Sequence, residues 1–215
     1  VRRSALISLS NLNDDQMAHA KSGMWWENEG QRALANNSVA YKGKPEMGTF
    51  LREWLALYDS KSGERGIFNR EAADKQVARN GRRETGHMWG TNPCSEIILR
   101  PYQFCNLSEV MVRESDDLES LKRKVRVATI IGTMQSTLTN FKYLRKIWKD
   151  NTEEERLLGV SLTGIMDHPV LSKNVDSKRW LEEMRQVAVD TNEEFAQMLG
   201  IPRSAAITCV KPSGT

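Results

Sequence analysis

The chain has 215 residues, enough for one sizeable domain or two small ones. Apolar residues make up 39% and charged residues 27%, an ordinary globular composition, and no run of eighteen or more apolar residues is present, so no membrane span is expected. The formal net charge of +3 is too mild, and the basic residues too mixed with acidic ones, to argue for direct nucleic-acid binding.

In chain order, residues 5–10 alternate as a β-strand does, and Asn13-Asp14-Asp15 offers a cap for a short helix reaching about Lys21. Residues 37–41 read as a second strand and 43–45 as a turn. Phe50, Leu51, Trp54, Leu55 and Tyr58 recur at helical spacing and predict an amphipathic helix over 47–59. A Gly-containing break over 62–66, a short extended Ile67-Phe68 and a polar helix over 69–78 follow. Residues 80–93 have no periodicity and read as a loop, 95–99 as a compact apolar strand and 104–112 as another extended segment. The strongest helical signal spans 118–148, with a break expected near Gly132. Within it, the basic cluster 121–126 reads as a solvated helix face. An acidic helix start over 151–155, a buried strand over 157–162, a helix over 180–199 stopped by Gly200-Ile201-Pro202, and a strand over 205–210 complete the chain. Strand, helix, strand in this order predicts an α/β layout.

The three cysteines, Cys94, Cys105 and Cys209, are too few and too widely spaced for a disulfide framework or a structural zinc site, so no metal ligands are expected. If Cys94 enters a strand, Cys94 and Glu96 share a face about 7 Å apart, and Asn92 joins them if the chain stays extended through Pro93. A thiol, a carboxylate and a carboxamide would then meet beside the apolar Ile97-Ile98-Leu99, a setting suited to proton transfer. Cys105 lies eleven positions further on, and Pro101 permits a turn that brings the two sulfurs together across adjacent strands. The residues alone leave other readings open. Both cysteines could be small core residues. A cysteine hydrolase would need a histidine, for which His87 is the near candidate rather than His19 or His168. Cys209 reads as a strand core residue.

Asn92-Pro93-Cys94-Ser95-Glu96-Ile97, followed by Cys105-Asn106-Leu107, resembles the finger-loop motif Asn-x-Cys-x-Glu of the ribonucleotide reductases. The eleven-residue step to Cys-Asn-Leu is similar to the cobalamin-dependent class, and Cys-Asn-Leu-Ser-Glu-Val to its monomeric triphosphate-reducing branch. Five further segments agree in order: Val1 to Ala5, Arg32 to Ser38, Ser62 to Arg70, Gly159 to Gly164, and Lys211 to Thr215. One departure is Arg65, where the family commonly has Pro, at what reads as a tolerant loop position.

The resemblance implies a ten-stranded α/β barrel with Cys94 on a loop threading its centre, residues 1–215 being a fragment of that catalytic barrel domain. It implies adenosylcobalamin as cofactor and a ribonucleotide, on this branch a ribonucleoside triphosphate, as substrate. Cys94 would carry a thiyl radical, Glu96 would exchange the 3′-hydroxyl proton, Asn92 would hydrogen-bond the ribose, and Cys105 would be one of the two reducing cysteines. Pro212, Ser213, Gly214 and Thr215 would bind substrate phosphate. The remaining segments of the same reductase, a thioredoxin-like reductant and a deoxynucleotide effector bound outside this chain would be its partners, in the cytoplasm. The chain opens without Met and starts and stops inside motifs. The isolated 215 residues are therefore expected to show no turnover. Alternatives are a remnant that only binds nucleotide or a partner chain, or a reductase of another class.

Overall fold

The computed structural model describes residues 6–61, 63–173 and 175–212. They form two compact units, residues 1–101 and 102–215.

In the first unit, β1 (Leu6–Ser10), β2 (Ala35–Tyr41) and β3 (Gly66–Asn69) make a parallel sheet in that order. Ser8 lies opposite Asn37, and Val39 opposite Ile67. β2 is the central strand, and its residues 37–41 are continuously buried, as a parallel strand covered on both faces requires. The β1–β2 crossover carries α1 (Asp15–Ala18), α2 (Trp25–Asn28) and a 3₁₀ turn over Gly30–Leu34. Asp14 caps α1 by accepting from Met17 N–H at 3.0 Å, but the helix lasts only one turn instead of running to Lys21. It closes at His19, whose carbonyl accepts from Ser22 N–H.

The β2–β3 crossover is α3 (Met47–Ser60), whose bounds match the helical spacing. Its orientation does not. Leu51, Trp54, Leu55 and Tyr58 are 50–65% exposed, whereas Glu53 on the opposite side is 7% exposed. The reason is Arg65, which is 2% exposed and not a tolerant loop residue. Its guanidinium donates to both Glu53 carboxylate oxygens (Nε to Oε1 2.5 Å, Nη2 to Oε2 2.6 Å). It donates as well to Ser10 Oγ at 2.8 Å, Asn11 O at 3.1 Å and Leu12 O at 3.3 Å. A buried carboxylate and a buried guanidinium must face each other, and this requirement turns the polar side of α3 inward. After β3, α4 (Arg70–Asn80) is capped by Asn69, whose side chain accepts from Ala72 N–H. Two short strands, β4 (Gly90–Thr91) and β5 (Ile98–Leu99), close the unit as an antiparallel pair.

In the second unit, β6 (Asn106–Met111) and β7 (Leu158–Thr163) pair in parallel, Asn106 opposite Leu158. The crossover between them holds α5 (Leu118–Gln135) and α6 (Lys146–Glu155). An Asp117/Ser120 capping box starts α5. Leu121, Val125 and Ala128 of α5 meet Val110, Leu158 and Val160 of the sheet in the main apolar core, together with Met184 and Ala188 of α8 (Ser177–Leu199). Three of the four cations of the 121–126 cluster enter ion pairs: Lys122 with Glu119 and Glu183, Lys124 with Asp116, Arg126 with Glu194.

Gly132 does not break the long helix. It stays inside α5, where an added Cβ would sit 3.4 Å from Leu158, so the glycine allows close packing of helix on strand. The helix stops at Gln135 instead and resumes at Lys146. The acidic stretch 151–155 is the end of α6, not a helix start; Thr139 Oγ1 donates to Glu153 at 2.6 Å, and Gln103 to Glu155. The expected strand 205–210 is a single parallel bridge, Val160 to Thr208, flanked by backbone bonds from Leu158 N–H to Ala206 O and from Cys209 N–H to Val160 O. Between β7 and α8 a short helix, α7 (Pro169–Lys173), is capped by buried His168. Its Nδ1 accepts from Val170 and Leu171 N–H while Nε2 faces Asp116 O at 2.9 Å. No helix among the described residues is long and apolar enough to cross a membrane.

Candidate active site

The β4–β5 pair sets Gly90 against Leu99 and Thr91 against Ile98, so residues 92–97 are a hairpin loop. The strand expected from Ser95 begins only at Ile98, and Cys94 lies in a turn. The alternating-face geometry anticipated for Asn92, Cys94 and Glu96 is therefore replaced by a folded loop. Its local causes are legible. Ser95 N–H donates to Asn92 O at 2.9 Å, closing a β-turn with Pro93 at its second position, where the fixed proline φ fits. Ser95 takes φ 65° to leave the turn. The Asn92 side-chain oxygen accepts from Ile97 N–H at 3.1 Å and from Thr91 Oγ1 at 3.4 Å, so the carboxamide staples the loop from inside.

The loop stands on a fixed base. Ile97 is 5% exposed, and Ile98 packs on the Ala73, Val77 and Trp89 cluster. Arg83 donates to Ile98 O at 3.0 Å and lies over the Trp89 ring at 4.8 Å. Arg70 donates to Trp89 O at 2.8 Å. The Trp89 indole N–H and the Gly86 N–H both donate to Asp74, holding its carboxyl below the usual carboxylate range. At the far side, Asn36 of β2 donates from Nδ2 to Pro93 O.

Cys94 is exposed at the tip and borders an open cavity of about 290 Å³, also lined by Ile7, Asn36, Ser38, Glu64 and Gly66. Glu64 is the charged group there. One oxygen pairs with Lys21 Nζ at 2.8 Å and the other accepts from Asn37 N–H at 3.0 Å. Glu96 is half-buried, and its Oε2 is shielded from solvent without a hydrogen-bond partner among the described residues. A solvent-shielded carboxylate oxygen with its lone pairs unengaged is suited to accepting a hydrogen bond, and then the proton, from a substrate hydroxyl.

Cys105 belongs to the second unit, half-buried just ahead of β6. The strands next to the two cysteines belong to different sheets, so the adjacent-strand pairing anticipated for them is not present. All three cysteines are free of disulfides. Cys209 is half-buried and lines a cavity of about 600 Å³ with Val160, Leu162 and Met184, beside the strand core rather than inside it. Pro212 is exposed, and Ser213, Gly214 and Thr215 lie outside the described residues; just upstream, Lys211 N–H donates to Ser161 Oγ at 3.1 Å. His87 stands edge-on to Trp89 at 5.1 Å, and no histidine lines the Cys94 cavity among the described residues, which leaves the hydrolase reading without its base. Asn36, Glu64 and Lys21 were not singled out from the sequence. Asn36 and Glu64 lay inside resembling segments, but nothing in the linear pattern tied them to residue 93 or 94.

The family profile that matches the chain is described as "Ribonucleotide reductase, barrel domain" and covers residues 14–176, across both units. The chain belongs to this family. Its two parallel sheets with crossover helices are part of an α/β barrel. The adenosylcobalamin-dependent ribonucleoside-triphosphate reductase of Lacticaseibacillus paracasei is 28% identical over 244 residues, covering 100% of this chain and 32% of that protein. The reductase of the same name from Euglena gracilis is 30% identical over 129 residues, covering 59% of this chain and 17% of that protein. A crystal structure of a B-12 dependent (class II) ribonucleotide reductase superposes with a TM-score of 0.67 at 22% identity, over 97% of this chain and 32% of the other. The chain thus spans about a third of the length of the curated relatives that it matches throughout.

Proposed function

We propose that this chain is the part of a ribonucleotide reductase at which ribonucleotides, on this branch ribonucleoside triphosphates, are reduced by thiyl-radical chemistry, both units belonging to one catalytic domain of a longer protein. The observation that carries the reading is the 92–97 loop, which combines an exposed Cys94 thiol, a Glu96 oxygen without a partner among the described residues and an Asn92 carboxamide, in a chain of the reductase barrel family.

Adenosylcobalamin, the cofactor named for the relatives, supplies a carbon-centred radical when bound. An exposed thiol at a loop tip fits a radical delivered from outside the chain, and the tip residues Cys94 and Ser95 are the ones that would face the cofactor. Cys94 gives up its thiol hydrogen and then abstracts the 3′ hydrogen of the ribose. Glu96 takes the 3′-hydroxyl proton on its unpartnered oxygen. Because the Asn92 oxygen is committed to Ile97 N–H, the carboxamide nitrogen is the group left to donate to a ribose hydroxyl. The 2′-hydroxyl leaves as water with a proton from one of two reducing thiols, and these thiols become a disulfide as the ribose takes up two electrons and a hydrogen at C2′. Cys94, whose thiol hydrogen can exchange with water in the meantime, then returns a hydrogen atom to C3′, and Glu96 returns the proton to the 3′ oxygen. This restores the thiyl radical and balances the two-electron reduction. Cys105 is one of the pair, its partner coming from another part of the protein, and a thioredoxin-like reductant restores both. The Pro212–Thr215 segment binds the substrate phosphates, the backbone N–H groups coming from Ser213, Gly214 and Thr215. A deoxynucleotide effector binds outside this chain, and the protein works in the cytoplasm.

The test is product formation by the full-length protein. Adenosylcobalamin-dependent deoxynucleotide synthesis is expected, with none from Cys94→Ser and a loss of about 10²–10⁴-fold in Glu96→Gln, the usual range for removing a general acid–base group. Normal synthesis by Cys94→Ser would overturn the assignment.

A further inference from the structure

The sequence of the loop contains the reacting groups but not the reason the thiol points where it does. That reason lies fifty-seven positions upstream, in the bond from Asn36 Nδ2 to Pro93 O. In the turn closed by Ser95 N–H and Asn92 O, Pro93 and Cys94 are the two central residues, and the peptide between them is the central peptide. The common β-turn types differ chiefly by a flip of this one peptide plane, which carries the carbonyl of Pro93 and the amide of Cys94. One orientation asks the third residue for φ near +80°, which favours glycine; Cys94 is not among the positive-φ residues, so the loop sits in the other. Nothing within the loop's own hydrogen bonds holds that peptide. The Asn92–Ser95 bond spans it, and the Asn92 carboxamide ties the loop ends. The anchor on the plane itself is Asn36, which lies on the central strand β2 just before its buried stretch from Asn37 to Tyr41.

We propose that Asn36 is a positioning residue for the Cys94 thiol: by holding the Pro93 carbonyl it locks the central peptide of the loop and thereby fixes the direction of Cys94 Cβ into the cavity lined by Ile7, Asn36, Ser38, Glu64 and Gly66. Asn36 need not touch a substrate to do this. The importance for turnover rests on the reading of Cys94 as the reacting group, but the lock itself does not.

The experiment uses Asn36→Asp, which keeps the shape and replaces the donor by an acceptor facing the Pro93 carbonyl, alongside Asn36→Ala. Two readouts are independent of activity and are made on the full-length protein. Site-resolved iodoacetamide labelling, read by peptide mass spectrometry, is expected to change at Cys94 by about threefold or more while Cys105 and Cys209 stay within experimental scatter. Amide exchange at Ser95 and Ile97 is expected to speed up by about tenfold, the effect of losing one net hydrogen bond in a local opening. In turnover, kcat is expected to fall with KM nearly unchanged, since a misdirected thiol affects the step and not binding. Unchanged Cys94 labelling and unchanged exchange at 95 and 97 in both variants would overturn the proposal, as would labelling that rises equally at all three cysteines. Changed labelling and exchange in a protein that makes no deoxynucleotide would uphold the lock and count against the reductase reading instead.

Discussion

Removing either partner of the Arg65–Glu53 pair should destabilise the first unit by about 3–5 kcal/mol. The Arg65 and Glu53 side chains are 1% and 6% exposed and share two short bonds. Arg65→Leu strands the Glu53 carboxylate in a site closed to water and frees Ser10 Oγ and the carbonyls of Asn11 and Leu12. Removing one partner of a buried ion pair costs about 3–5 kcal/mol. Glu53→Leu should cost a similar amount by stranding the guanidinium. Both charges removed together leave no uncompensated ion, so Glu53→Leu/Arg65→Leu should recover most of the loss, giving a coupling of about 2 kcal/mol or more. The assay is urea unfolding followed by tryptophan fluorescence, with Trp54 and Trp89 reporting the first unit and Trp148 and Trp180 the second. Single variants that lose less than about 1 kcal/mol, or a double variant that loses the sum of the two, would refute the argument that this pair turns α3.

Two other outcomes follow from the second unit. Asp116 is held down to about 2: burial raises its carboxyl, but bonds from Lys124, the Arg113 N–H and Ser120 lower it by more. A carboxylate depressed in the fold stabilises it above the unfolded value near 3.8 and loses that contribution as pH falls from about 4 to 2. Its side chain is only 8% exposed, so the contribution is about 2 kcal/mol, and Asp116→Asn should flatten the acid limb of a stability–pH profile by that amount. Gly164 has φ +81°, and an added Cβ would lie 2.6 Å from Val112 O, so Gly164→Ala should destabilise the β7 end by about 1–3 kcal/mol in denaturant titration; a neutral result would mean that the backbone there yields.

Much of the fold is legible in the sequence where one-dimensional periodicity and caps determine it. The bounds of α3, β7 and α8 follow from spacing and stop signals, and Asp14 and Asn69 cap where short polar residues should. Other features depend on contacts far apart in the chain. The helical stripe Leu51, Trp54, Leu55, Tyr58 reveals a face but not which face is covered, and that is decided by Arg65 twelve positions on from Glu53. Gly132 reads as a breaker only until Leu158 is seen packed on it. In the site, the residue types at 92, 94 and 96 are legible, but the strand geometry expected for them is not realised. Two-residue strands carry no period, and Pro93 with the Asn92 side chain favours a turn. Asn36 on β2 bonds Pro93, and Glu64, just ahead of β3, lines the Cys94 cavity, placements that the local sequence pattern does not encode.

The central claim is that Cys94 initiates ribose chemistry by removing the 3′ hydrogen. The most direct measurement is tritium release from a 3′-tritiated ribonucleotide by the full-length protein with adenosylcobalamin, run beside Cys94→Ser. The account predicts release with the native protein and background counts with Cys94→Ser. Equal release from both, or none from a protein that nonetheless makes deoxynucleotide, would contradict it.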